Sequence, residues 1–275
     1  MKMTFQTGGP SAHLKITYAN ANVLCAGSAG RAEKVATYLD TVDTIIQGTP
    51  GDDGRKHVTV HGTYQGVPIT AFSTGMGPAS VAITMPEVIE AYEGRDMTFL
   101  RIGTSGGLHP KTNVGDFVIS TTIDRRETTS EWIMGKDYVA KASPEAVTAL
   151  WEIASQTKGG SQQVHVGPSM VVNELYWSNR WLKNQYRGNE ERRQAEIPDV
   201  LAVSMEFSVL CALRDAYNED GEKRIATGNL LSISDLPLST ADRVDQSGYA
   251  QLMQEVEERQ IKIGLDTLVR LSKER

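Results

Sequence analysis

The stretch Arg101-Ile102-Gly103-Thr104-Ser105-Gly106-Gly107, entered from the apolar run Met97-Thr98-Phe99-Leu100, decides how this chain is read. The apolar run has the length and composition of a buried strand. The arginine then closes that strand, and the hydroxyl- and glycine-rich residues beyond it read as a turn. Turn N–H groups, the Thr104 hydroxyl and the Arg101 guanidinium can converge there on an anion, phosphate above all.

Outward from this stretch the same grammar repeats. Asn22-Val23-Leu24-Cys25-Ala26 reads as a strand, Gly27-Ser28-Ala29-Gly30 as a turn and Arg31 to Leu39 as a helix. His57 to Tyr64 and Val67 to Phe72 flank Gln65-Gly66, a two-residue hairpin signal. A helix from about Ala79 to Tyr92 leads into the Arg101 strand, and Asp116 to Ser120 is a further strand. The alternation continues with a helix over Pro144 to Gln156, strands over Val164 to Val172 and Val200 to Met205, a helix over Phe207 to Tyr217, a strand over Ile225 to Ser234 and a closing amphipathic helix over Tyr249 to Leu271. Trp177 to Pro198 has neither period and reads as an irregular excursion. The expected fold is α/β, one domain over residues 1–275, with three α/β/α layers and a mixed central sheet.

Composition narrows the function. A chain of 275 residues with 40% hydrophobic content can bury a large core, and its net charge of -6 opposes a general nucleic-acid or acidic-membrane surface. Small anions suit it better than polyanions. No apolar run approaches membrane length, the first residues lack a signal-peptide core, and the expected location is cytoplasmic. Cys25 and Cys211 both lie in apolar runs and read as core packing in a reducing compartment. No Cys/His spacing suggests zinc.

Four further stretches carry candidate chemistry. Gly27 and Arg31 form a second anion-type turn at a helix N-terminus, with an ordinary strand-to-helix turn as the alternative. Ser73-Thr74-Gly75-Met76-Gly77 either admits a ligand to the backbone or packs tightly. Glu206, emerging from an apolar strand, needs hydrogen-bond donors, which sugar hydroxyls or the amides of a helix N-terminus can supply. Asp235 ends another buried strand ahead of Pro237, either as a proton donor or as a turn cap. If these strands run parallel, Arg101, Glu206 and Asp235 share one sheet edge, where ligands of open α/β sheets sit.

Taken in order, these stretches resemble the nucleoside phosphorylase-I family of purine nucleoside phosphorylases, uridine phosphorylases and related nucleosidases, over nearly the whole chain. The resemblance implies that Gly27, Arg31, Arg101 and Thr104 bind phosphate, with Ser28-Ala29 standing where Asp-Pro is usual. It implies that Arg55 joins them from a neighbouring subunit and that His13 reaches the neighbour's ribose, so that the site is shared in a homo-oligomer. Ser105, Gly106, Tyr176, Met205 and Glu206 are implied to hold the nucleoside, Glu206 by the 2'- and 3'-hydroxyls. Asp235 is implied to protonate a departing purine. Asn179 and Trp181 stand where uridine phosphorylases carry Gln and Arg, which favours purine, and Arg243 is a further candidate helper. His57, His61, His109 and His165 fall on no family site and read as packing or surface residues. The implied reaction is phosphorolysis of an N-glycosidic bond with inorganic phosphate as co-substrate and no cofactor or metal. Hydrolysis of a nucleoside or AMP, uridine phosphorolysis and a non-catalytic nucleoside sensor are the alternatives.

Overall fold

A computed structural model describes residues 11–47, 56–157, 162–174, 199–236 and 246–275. Strand β1 (Asn22–Ala26) is buried at all five positions, as a strand covered on both faces must be. Helix α1 (Ala29–Val35) begins at Ser28, whose hydroxyl accepts the Arg31 N–H, and tightens into a 3-10 turn over Ala36–Tyr38 instead of continuing to Leu39. An edge strand β2 (Thr41–Gln47) follows, exposed along almost its whole length. Exposed on both faces, it has no buried face for alternation to mark, and it is absent from the elements expected above.

β3 (Val58–Tyr64) and β4 (Val67–Ser73) form the expected hairpin. Its corner residues Gln65 and Gly66 both take positive φ, 49° and 77°, the combination that matches the twist of the strands. Helix α2 (Pro78–Glu90) opens with proline in its first turn. The next strand, β5 (Asp96–Gly107), corrects the sequence reading: the glycine-rich residues after Arg101 are strand and not turn, paired in parallel with β9 (Arg224–Asp235) along its length. β6 (Phe117–Arg126) likewise runs past Ser120, and α3 (Thr129–Met134) follows it. Then come α4 (Pro144–Thr157), β7 (Val164–Val172), β8 (Ala202–Ser204), shorter than expected, α5 (Phe207–Glu219) and, after β9, α6 (Gln246–Glu274).

Among the described residues the sheet runs β2-β3-β4-β1-β5-β8-β7-β6-β9, and the added β5–β9 pairing closes the last five strands into a ring. Alternation along the strands sorts the core. Leu24, Ala26, Leu100 and Ile102 face α1, α4 and α6. Val23, Cys25, Met97 and Phe99 face α2, α3 and α5. Helices on both faces of a mixed sheet make the three layers, and each fully buried Phe such as Phe72, Phe99 or Phe207 contributes about 2–3 kcal/mol of burial. Cys25 and Cys211 are both free thiols buried on the α2/α5 side, and burial pushes the Cys211 thiol up to about 12. The parallel-edge expectation holds for β9 only, because β8 runs antiparallel to β5 and parallel to β7.

Candidate active site

Arg101 is 3% exposed, with its side chain on the Cys25 side of the sheet. A cation buried this deeply needs a counter-charge and hydrogen-bond acceptors close by. Nη2 is bonded to Glu206, and Nη1 donates to Asn229 Oδ1 at 3.2 Å. Gly103, two residues on and on the same face, is the seat of the guanidinium: a Cβ there would lie 2.6 Å from Nη1 and 2.7 Å from Nη2. Gly107 meets Thr112 Oγ1 in the same way, at 2.7 Å. The glycines that suggested a turn are therefore close-approach positions inside a strand.

Glu206, 4% exposed, opens α5 without capping it; its carboxylate turns away from the helix amides. Oε1 accepts the Gly77 N–H at 3.0 Å, and Oε2 accepts from Arg101 and from the Met205 N–H at 3.2 Å. Gly77 sits at φ 88°, a conformation that favours glycine, and the Met205 methyl carbon lies 4.0 Å from where its Cβ would be. The Ser73–Gly77 turn thus serves to bring one backbone donor onto Glu206. Met205, like Leu108, packs against the small cluster of Met170, Val172, Val200 and Val203.

The parallel β9 brings exposed Asp235 alongside Gly106, while Val203 of β8 pairs with Gly106 from the other side. Ser234 Oγ stands 3.0 Å from Asp235 Oδ1 and 3.2 Å from the Ser105 carbonyl, and buried Ser105 donates to the Ser232 carbonyl at 3.2 Å. The Tyr249 hydroxyl donates to the Ser234 carbonyl at 2.9 Å, and its pKa is raised by burial and then by the Asp235 charge. Hydrogen bonds thus join Arg101, Met205 and Glu206 in one group, and strand pairing joins Ser105, Gly106 and Asp235 in another farther along β5.

The remaining candidates are placed differently. Thr104 is exposed within β5, and because Ala26 pairs with Ile102, Gly27 and Ser28 leave β1 beside the Gly103–Thr104 stretch of that strand. Nothing lies within 4 Å of a Cβ built on Gly27, so that turn has open space above it. Arg31 is turned to α6 instead of toward Arg101: its Nε donates to Glu257 at 3.0 Å, with Lys34 joining Glu257 and Glu258 at 3.4 and 3.3 Å. His13 is tied to helix α2, its N–H donating to both oxygens of Glu87 at 3.0 and 3.1 Å and its Nδ1 standing 2.7 Å from Oε1. Arg55, Tyr176, Arg243 and the Trp177 to Pro198 segment lie outside the described residues. The other histidines take packing roles, as His165 does against Asp116 at 3.0 Å and His57 against the Ser73 carbonyl at 3.0 Å.

Three participants were not read from sequence: the Gly77 amide, Asn229 and Glu87. A backbone donor has no sequence signal of its own. Glu87 and Asn229 did have one, a polar residue interrupting an apolar face. Glu87 is 2% exposed and also accepts the Leu14 N–H at 2.8 Å. Among the described residues, no three His, Cys, Asp or Glu side chains are grouped so as to hold a metal, and no helix is long and apolar enough to cross a membrane.

The fold is a mixed α/β sheet with a buried Arg101–Glu206 ion pair beside the end of β8, and comparison with known proteins gives the family. Residues 23–270 match the phosphorylase superfamily, and the chain belongs to it. The nucleoside phosphorylase resemblance holds with that assignment, and so does the assignment as an enzyme. The chain is 28% identical to a guanosine phosphorylase of Halorubrum lacusprofundi over 80% of its own length and 87% of the relative's. It is 26% identical to a purine nucleoside phosphorylase of Plasmodium vivax over 95% and 96%, and 29% identical to a uridine phosphorylase of Haemophilus influenzae over 74% and 80%. Among solved structures, a uridine phosphorylase of Phytophthora capsici superposes with a TM-score of 0.78 at 19% identity, covering 98% of this chain and 97% of that one.

Proposed function

We propose that this chain phosphorolyses the N-glycosidic bond of a purine nucleoside, giving the free base and ribose or deoxyribose 1-phosphate. The observation that carries the reading is the buried Arg101–Glu206 pair at the β5/β8 junction, one strand away from Asp235. In this reading Glu206 accepts the 2'- and 3'-hydroxyls of the sugar while Arg101, Thr104 and the Gly27 turn receive phosphate. Arg55 and His13 join them from a neighbouring subunit, and Ser105, Gly106 and Tyr176 line the base side.

The C1'–N bond breaks as a phosphate oxygen bonds to C1', through an oxocarbenium-like state that the phosphate charge stabilises. The base leaves with the bond's electron pair, and a proton from Asp235 neutralises it. Inorganic phosphate is the co-substrate, and the reaction calls for no cofactor. Asp235, as an acid able to reach a purine nitrogen, supports the purine preference; the relatives' names are divided between purine and uridine substrates.

The Arg31–Glu257 ion pair favours a second reading, hydrolysis, because it takes one arginine out of the anion cluster. The test is base release from inosine, adenosine, guanosine, uridine and AMP, each with and without phosphate. Phosphate-dependent release from purine nucleosides is expected. Release without phosphate would establish the hydrolase, and preferential cleavage of uridine would overturn the base preference.

A further inference from the structure

Asn229 is fully buried in β9, beside Leu230 and Leu231, and stands opposite Arg101 in the β5–β9 register. Strands favour β-branched and aromatic residues, and a buried amide is costly unless it is bonded. Its carboxamide spans two polar side chains: Oδ1 accepts from Arg101 Nη1 at 3.2 Å, and Nδ2 donates to Ser120 Oγ at 2.8 Å. The amide has only one workable orientation, because a guanidinium carries donors alone and the atom facing it must be the oxygen. Ser120 Oγ accepts in turn from Ser169 Oγ at 2.8 Å, and both serines are fully buried. A line of hydrogen bonds thus crosses the closed ring of strands from β7 through β6 and β9 to β5, and ends on Glu206.

We propose that Asn229 is a positioning residue that fixes the Arg101 guanidinium for phosphate. The inference rests on the phosphorolysis reading and deepens it. Glu206 grips one corner of the fork and Asn229 another. Glu206 alone, being charged, would draw the guanidinium to the sugar side and offset its charge. Asn229 holds Nη1 without contributing a charge, so the arginine stays in place and remains attractive to an anion. Arg101 Nε is buried and has no hydrogen-bond partner, a donor costly to leave unmet and available to a ligand oxygen.

The test compares wild type with Asn229→Leu, a substitution of similar volume that suits the apolar strand. Two readouts serve: KM for inorganic phosphate against KM for inosine, and the rise in Tm on adding inorganic phosphate. The proposal predicts a phosphate KM raised tenfold or more, an inosine KM within about twofold of wild type and loss of the phosphate-induced Tm rise. Should Asn229→Leu fail to fold, Ser120→Ala, which leaves the Asn229 amide untethered, is expected to shift the phosphate KM in the same direction by a smaller factor. A variant that folds and binds phosphate as wild type does overturns the positioning role alone. A wild type that phosphate neither stabilises nor activates overturns the phosphorolysis reading, and this inference with it.

Discussion

At the residue scale, the site depends on what is absent from Gly103 as much as on what Arg101 carries. Gly103→Ala places a methyl group within 2.7 Å of both terminal guanidinium nitrogens. The guanidinium must move aside, which leaves Glu206 buried without its cation, so Tm is expected to fall by several degrees while the fold survives. The bonds to Glu206 and Asn229 would be lost, and kcat/KM should fall at least tenfold; unchanged kinetics would mean that the seat is unimportant. Asp235→Asn keeps the shape and removes the acid, so kcat for inosine should drop by about 10²–10⁴ while inosine KM changes little. Arg101, Glu206 and Asp235 were legible from sequence because each is a charged residue at the end of an apolar run. Asn229 was not, since a neutral side chain in such a run raises less alarm although its burial is just as costly.

At the element scale, the strand, helix and hairpin periods were legible wherever one face of an element meets the core. The reading failed where that rule gives way. β5 was cut short at Arg101 because glycines ordinarily punctuate, whereas here they let a guanidinium and Thr112 approach the strand. β2 lies at the sheet edge with little to bury, so its sequence shows no alternation. The antiparallel course of β8 depends on its pairing with β5 and β7, a long-range relation that local pattern does not carry. The contact between α1 and α6 gives a prediction of its own. Glu257→Gln releases the Arg31 guanidinium from its ion pair, and the phosphate KM should fall severalfold if Arg31 belongs to the anion cluster. An unchanged phosphate KM would place Arg31 in a purely structural role.

At the scale of the whole molecule, the sheet that positions the site also sets how stability responds to pH. His61 is fully buried in β3, stacked on Tyr18 with ring centroids 4.2 Å apart, and its Nδ1 stands 3.1 Å from Thr70 Oγ1. Burial lowers its pKa to about 4, against a weaker opposing pull from Asp43. The unfolded chain protonates this histidine near 6.5, so the unfolded state binds the extra proton first as pH falls. Its contribution is fully present above about pH 6.5 and is lost as pH drops toward 4. Urea unfolding at pH 7.5 and pH 5 should show His61 accounting for about 2 kcal/mol of lost stability. His61→Gln should remove that share of the slope, and an unaltered slope would refute the assignment.

The central claim is that phosphate, and not water, attacks the sugar at the Arg101–Glu206 site. The most direct measurement is to follow wild-type enzyme and inosine by ³¹P NMR in phosphate buffer, with a phosphate-free reaction assayed for free ribose. The account predicts a ribose 1-phosphate signal growing in step with hypoxanthine, and no turnover when phosphate is withheld. Hypoxanthine released together with free ribose, at a rate independent of phosphate, would contradict it.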